Sequence, residues 1–300
     1  MNSISFRNDT QYNSIQKKEK SSDFIPSMIA ILGADAVPSI FAPINICGIV
    51  PAAKKTGHFD AETTKRMQNK FLELLDSTGL SKKGVNIDFI DQIEATRLTR
   101  KDLSNPLEQV KKGYNAFFTP KDLFLPNDEI IKKNTIVAPK NNLSNLLFHE
   151  MGHAHNYNMT KLGKFIQKSR PLLLLLPTYI ALYGALTRKS EPEEGNELTK
   201  AQKSKNFIRN NAGKLSFLCT LPVLFEEAWA TAKGHKWAKQ VLSPENAKKV
   251  LKGNAVAYVS YIVTTVSLAL SSWCAVKIKD KLIEKKEKEQ DELNKLMQDA

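Results

Sequence analysis

Residues Asn254 to Val276 form a run of 23 without a formal charge, bounded by Lys252 and Lys277. A helix of that length and composition crosses the hydrocarbon core of a bilayer. Tyr258, Tyr261 and Trp273 lie near its ends, as interfacial aromatic rings do. The run is therefore expected to be a transmembrane helix, and a soluble fold has to be built around it. Two more apolar stretches add to the constraint. One covers 171–187, close to the shortest useful length and carrying Pro177; the other covers 213–231. Residues 25–52 are also apolar, but Pro26, Pro38, Pro43, Pro51, Gly33 and Gly48 interrupt them. That pattern favours a membrane-associated segment, re-entrant or a helical hairpin, over a clean span.

The termini are of another kind. Residues 1–24 are polar and lack periodicity, so a disordered N-terminus is expected. A cleaved signal peptide is not, because the apolar run starts late and contains Asp35. The tail 277–300 is Lys/Glu-rich and reads as a solvated helix. The remainder, 53–253, is read as one domain interrupted by the apolar helices at 171–187 and 213–231. The net charge of +13 comes from lysines scattered along the chain. No compact basic stripe is interleaved with aromatics, so the charge implies attraction to anionic lipid headgroups, and no nucleic-acid partner is expected. Cys47, Cys219 and Cys274 are odd in number and sit in apolar runs. They read as small buried hydrophobes and supply no disulfide framework.

The chemistry concentrates in Leu146–Asn156, which contains H-E-x-x-H as His149, Glu150 and His153. Residues four apart share a helix face, so both imidazoles can reach one metal, while Glu150 points about 100° further round. Asn141, Asn142 and Ser144 are N-cap candidates, and Leu143, Leu146, Leu147, Met151 and Ala154 recur at helical spacing. With only five histidines in the chain, a chance match is improbable. The spacing points to Zn²⁺, and a catalytic zinc needs a third protein ligand while keeping a fourth position open. His155 points elsewhere on the helix, and no histidine follows at the short spacing of a metzincin. What is left is Leu224–Ala232, an apolar helical run holding the adjacent carboxylates of Glu226 and Glu227. Glu227 shares a face with Val223, Leu224, Ala230 and Thr231, whereas Glu226, near Trp229 and Lys233, is expected to have a route to solvent. A pair of antiparallel helices between 171 and 231 would bring this run back to the side of His149 and His153.

Ahead of the motif, Asp60 caps a predicted helix ending before Gly79. Strand-like runs follow at 85–90, 114–118 and 135–137. The expected fold class is mainly α with a small β-sheet (α+β).

Taken together, helix, Val/Ile strand, Asn115-Ala116-Phe117, short strand, H-E-x-x-H helix, apolar interruption and a Glu in an Ala-rich helix resemble a known order. It is similar to that of the integral-membrane zinc metallopeptidases of the HtpX and CAAX prenyl protease type, over roughly residues 60–240. The family's third ligand heads an E-x-x-A-D motif, which maps onto Glu227-Ala228-Trp229-Ala230-Thr231, with Thr231 in place of the usual Asp. The resemblance implies a gluzincin: a zincin-like core with membrane helices, zinc on His149, His153 and Glu227, and Glu150 as catalytic base. It further implies a protein or peptide substrate and a multi-pass membrane protein whose site faces the cytosol. The competing expectation is a degenerate, non-catalytic zinc-binding membrane protein, which the Thr231 departure favours.

Overall fold

A computed structural model of the chain describes residues 23–49, 52, 58–90, 116–122, 133–141, 143–192 and 196–298. The disordered segment expected before residue 23 lies outside them, as do Tyr114 and Asn115 of the second strand-like run. The chain is mainly helical with one small sheet, and it divides into two compact units. Residues 42–173 and 221–263 make one; residues 1–41, 174–220 and 264–300 make the other.

The first unit carries the sheet. Helix α2 (Ala61–Ser77) begins on Asp60, whose carboxylate accepts from Thr63 N, the N-cap bond the sequence called for. It ends where Gly79 adopts φ 73°, with Gly79 N bonded to Asp76 O and Leu80 N to Leu75 O. That paired return satisfies the last carbonyls and needs a residue without a Cβ penalty at Gly79. Strands β1 (Asn86–Ile90), β2 (Phe117–Thr119) and β3 (Thr135–Pro139) form a sheet of order β1-β3-β2. β1 runs parallel to β3 with Asp88 opposite Val137, and β2 runs antiparallel with Phe118 opposite Ile136. The central β3 is buried along its whole length, which explains its unbroken run of Ile, Val and Ala.

Helix α3 (Leu146–Met159) packs on β2 and β3. Its Phe148 is the hub of the core, edge-on to Phe71 at 5.8 Å and to Phe59 at 6.5 Å between ring centroids. Leu147, Met151 and Ala154 are fully buried beside it. Of the expected side-chain caps, Asn142 lies outside the described residues and those at Asn141 and Ser144 do not form. Asn145 precedes the helix without a capping bond and turns its amide instead to Asn254. Asn145 has helical dihedrals itself (φ −53°, ψ −26°), whereas a capping side chain needs the extended backbone of a residue outside the helix.

The second unit is a bundle. α1 (Phe24–Pro43), followed by a π-helical turn at Ile44–Ile49, runs without the break expected from its prolines. Pro26 lies in the first turn, where its missing N–H has no helical partner to lose. α4 (Lys161–Leu186), α5 (Lys200–Asn210), α6 (Ala212–Val241) and α7 (Pro244–Gln298) complete the chain; of these, α5, α4 from Leu174, α6 up to Thr220 and α7 from Thr264 belong to this unit, and the remaining turns to the first. In this unit Ala30, Ala34, Ala181, Ala185 and Ala275 form a small-residue core. Ser271 Oγ donates to Ala34 O at 2.7 Å and Ser272 Oγ to Pro177 O at 2.9 Å. Such bonds between close-packed helices account for the hydroxyls in an otherwise apolar run.

Among the described residues, three helices are long and apolar enough to cross a membrane: Phe24–Ile49, Lys161–Leu186 and a window of Pro244–Gln298. The uncharged run 254–276 is thus the middle of one 55-residue helix, whose C-terminal turns continue as the exposed Lys/Glu tail.

Candidate metal centre

The site is built by α3 and α6, and glycine brings them together. A Cβ added at Gly152 would strike the Ala230 carbonyl, and one at Gly234 would reach 2.5 Å from Phe148 O. Helix backbones approach this closely only where the side chain is a hydrogen. This contact sets Glu227, one turn before Ala230, opposite the two histidines.

His149 Nε2 and His153 Nε2 stand 2.9 Å apart, and Oε2 of Glu227 lies 3.1 Å from the first and 3.4 Å from the second. Their other ring nitrogens are occupied: His149 Nδ1 meets Thr231 Oγ1 at 3.0 Å, and His153 Nδ1 meets the Glu226 carboxylate at 2.9 Å. With Nδ1–H donated outwards, each Nε2 is left with its lone pair turned inwards. Ligand atoms held at zinc distances in a tetrahedron stand about 3.3–3.5 Å apart, close to the separations found. His149, His153 and Glu227 are all buried, and as a group they could hold a metal ion.

Charge leads to the same conclusion. Glu226 is 1% exposed and Glu227 0%. With Glu150 they make three acids against the two cations of Arg170 and Lys233, which leaves one negative charge in excess and favours a cation among them. Burial alone would push Glu227 up, but His153, His149 and Arg170 hold it well below the ordinary carboxylate range. Burial would likewise depress His153; the carboxylates of Glu227 and Glu226 instead raise it well above an ordinary histidine. Glu150 moves the other way: burial raises it, against the pull of His153 and His149. Its Oε2 accepts from the backbone N–H of Phe118 in β2 at 2.8 Å.

The expectation for Glu226 is overturned. It has no route to solvent and accepts from Asn156 Nδ2 at 3.1 Å and Gln167 Nε2 at 2.7 Å, besides His153. Two carboxylates 100° apart on one helix both serve one imidazole, because its two nitrogens face different ways. Nothing local to α6 marked this, because Trp229 and Lys233 give the Glu226 face the pattern of a solvated one. Lys233 Nζ bonds Asn156 Oδ1 and His155 Nδ1, each at 2.8 Å, and lies 4.1 Å over the Trp229 ring. His155 is thereby committed to Lys233 and Trp237. Neither His155 nor His235 belongs to the ligand group. Sequence reasoning missed Arg170 and Gln167 on α4, and Tyr261 on α7, because nothing local marks residues that reach the site from distant helices.

Compared with protein-family models, curated proteins and solved structures, the chain matches none of them.

Proposed function

We infer that this chain is a membrane-bound zinc endopeptidase of the gluzincin kind, with a zincin-like core. What carries the reading is the convergence of His149 Nε2, His153 Nε2 and Glu227 Oε2 with Glu150 on the same helix turn. His149, His153 and Glu227 would hold Zn²⁺, which when bound lowers the pKa of a water to about 7 and polarises a carbonyl.

The protein's own groups supply the rest. Glu150 has Oε2 tied to the Phe118 amide, which leaves Oε1 to take a proton from the attacking water and pass it to the departing amine. Burial raises its affinity for that proton above an ordinary carboxylate's, the direction a general base and acid requires. Glu226, through Nδ1 of His153, keeps that ring oriented and electron-rich. Thr231, standing where the resembling family has Asp, supports His149 through its hydroxyl. A neutral hydroxyl orients the ring as a carboxylate would but raises its basicity less. The three membrane-length helices would hold the site at a bilayer, where the scattered lysines favour anionic headgroups.

The test is metal analysis of the detergent-extracted chain together with cleavage of an unstructured protein substrate. Stoichiometric zinc and chelator-sensitive cleavage are expected. Zinc without cleavage would favour a non-catalytic metal-holding protein, and no zinc would refute both readings.

A further inference from the structure

The Glu226–Glu227 doublet on α6 is read by a matching pair on α4. Gln167 and Arg170 are three apart and share one helix face. Gln167 Nε2 donates to Glu226 Oε1 at 2.7 Å, and Arg170 Nη2 forms an ion pair with Glu227 Oε1. The guanidinium is steadied from the far side by the Tyr261 ring, 5.7 Å from its centroid.

The two oxygens of Glu227 therefore have different environments. Oε2 faces both imidazole nitrogens, at 3.1 and 3.4 Å. Oε1 is shut off from solvent, has no aligned hydrogen-bond donor among the described residues, and faces Arg170. A carboxylate can ligate through one oxygen or both, and using both fills a position that a catalytic site leaves open. We propose that Arg170 is a positioning residue that reserves Oε1 of Glu227, so that a bound metal meets Glu227 through Oε2 alone. Arg170 thereby keeps the fourth position free. It also neutralises an oxygen whose negative charge would otherwise offset the metal's own. The proposal rests on the metal-centre reading above.

The test uses the full chain in detergent, stripped by chelator and loaded with Co²⁺, whose visible absorption weakens as coordination number rises. Parent, Arg170→Gln and Arg170→Lys are compared at equal cobalt content. Arg170→Gln should absorb severalfold more weakly than the parent, because the released Oε1 joins the ion. Its kcat with zinc should fall by about 10- to 100-fold, with KM little changed. Arg170→Lys, which keeps the charge, should keep the parent's spectrum. An Arg170→Gln spectrum equal to the parent's would overturn the proposal. So would tighter cobalt binding with an unchanged spectrum, which would make Arg170 a competitor of the metal, or equal weakening in both variants. A parent that takes up no cobalt refutes the metal centre itself. Spectra that shift as described in a chain that cleaves nothing would support Arg170's role and refute only the peptidase reading.

Discussion

His153 and Glu226 are joined through Nδ1 at 2.9 Å, while the adjacent Glu227 faces Nε2 of the same ring at 3.4 Å. Neighbouring acids thus divide one imidazole between them. Replacing Glu227 with Ala is expected to strip the metal. Glu226→Ala should not be mild: it leaves Asn156 Nδ2 and the His153 ring without their acceptor and takes from Gln167 one of two. Loss of such a partner weakens metal affinity by about 10- to 100-fold. Metal content after dialysis against a graded chelator distinguishes the two. Parent-like retention in Glu226→Ala would remove Glu226 from the site.

Glu150→Gln should keep the metal and lose cleavage. The amide retains an oxygen for the Phe118 N–H but cannot carry the transferred proton. A general acid–base group contributes about 10²- to 10⁴-fold. Activity within a few-fold of the parent's, at equal metal content, would eliminate Glu150 as the base.

The spacing of the helices is open to a simple test. A Cβ at Gly152 meets the Ala230 backbone, so Gly152→Ala should destabilise by about 1–3 kcal/mol and weaken metal binding together. Gly48→Ala, whose Cβ would meet nothing within 4 Å, is the control and should melt as the parent does. Unchanged melting of Gly152→Ala would mean that α3 and α6 are not held this close.

Stripped of metal, the site should respond to pH in two directions. His153 is raised above its ordinary 6.5, so its contribution is complete below about pH 6.5 and fades as pH climbs through the raised value. Glu226 and Glu227 are lowered from 4.5, so theirs is complete above about pH 4.5 and fades as pH falls through the depressed values. Thermal melting with a chelator should therefore be highest between these limits. Metal affinity should instead rise with pH, because ligation needs the unprotonated ring. A melting temperature that climbs steadily to pH 9 under chelator would contradict the pairing.

Three membrane-length helices imply that detergent, and neither high salt nor carbonate, releases the chain from membranes. Quantitative release by carbonate would make the attachment peripheral.

How much of this was legible in advance follows from the range of the interactions. The Asp60 cap, the Gly79 stop, the strands expected at 85–90 and 135–137 and found at Asn86–Ile90 and Thr135–Pro139, and the pairing of His149 with His153 depend on neighbours within a turn or two. Helical and strand periods are properties of the backbone itself, so those features could be read from the residues. Whether Pro38 breaks α1 was misread, because packing within the bundle supports a helix that local propensity disfavours. The fate of Glu226 could not be settled by angles on its own helix. Gln167, Asn156 and His153 close over it, and they come from two other helices. Arg170 was invisible for the same reason: an ion pair 57 residues away in sequence leaves no periodic trace. The sequence by itself determined which residues could ligate and on which helix face. Only the tertiary structure decided which oxygen of which carboxylate turns inwards, because that depends on what the neighbouring helices place against it.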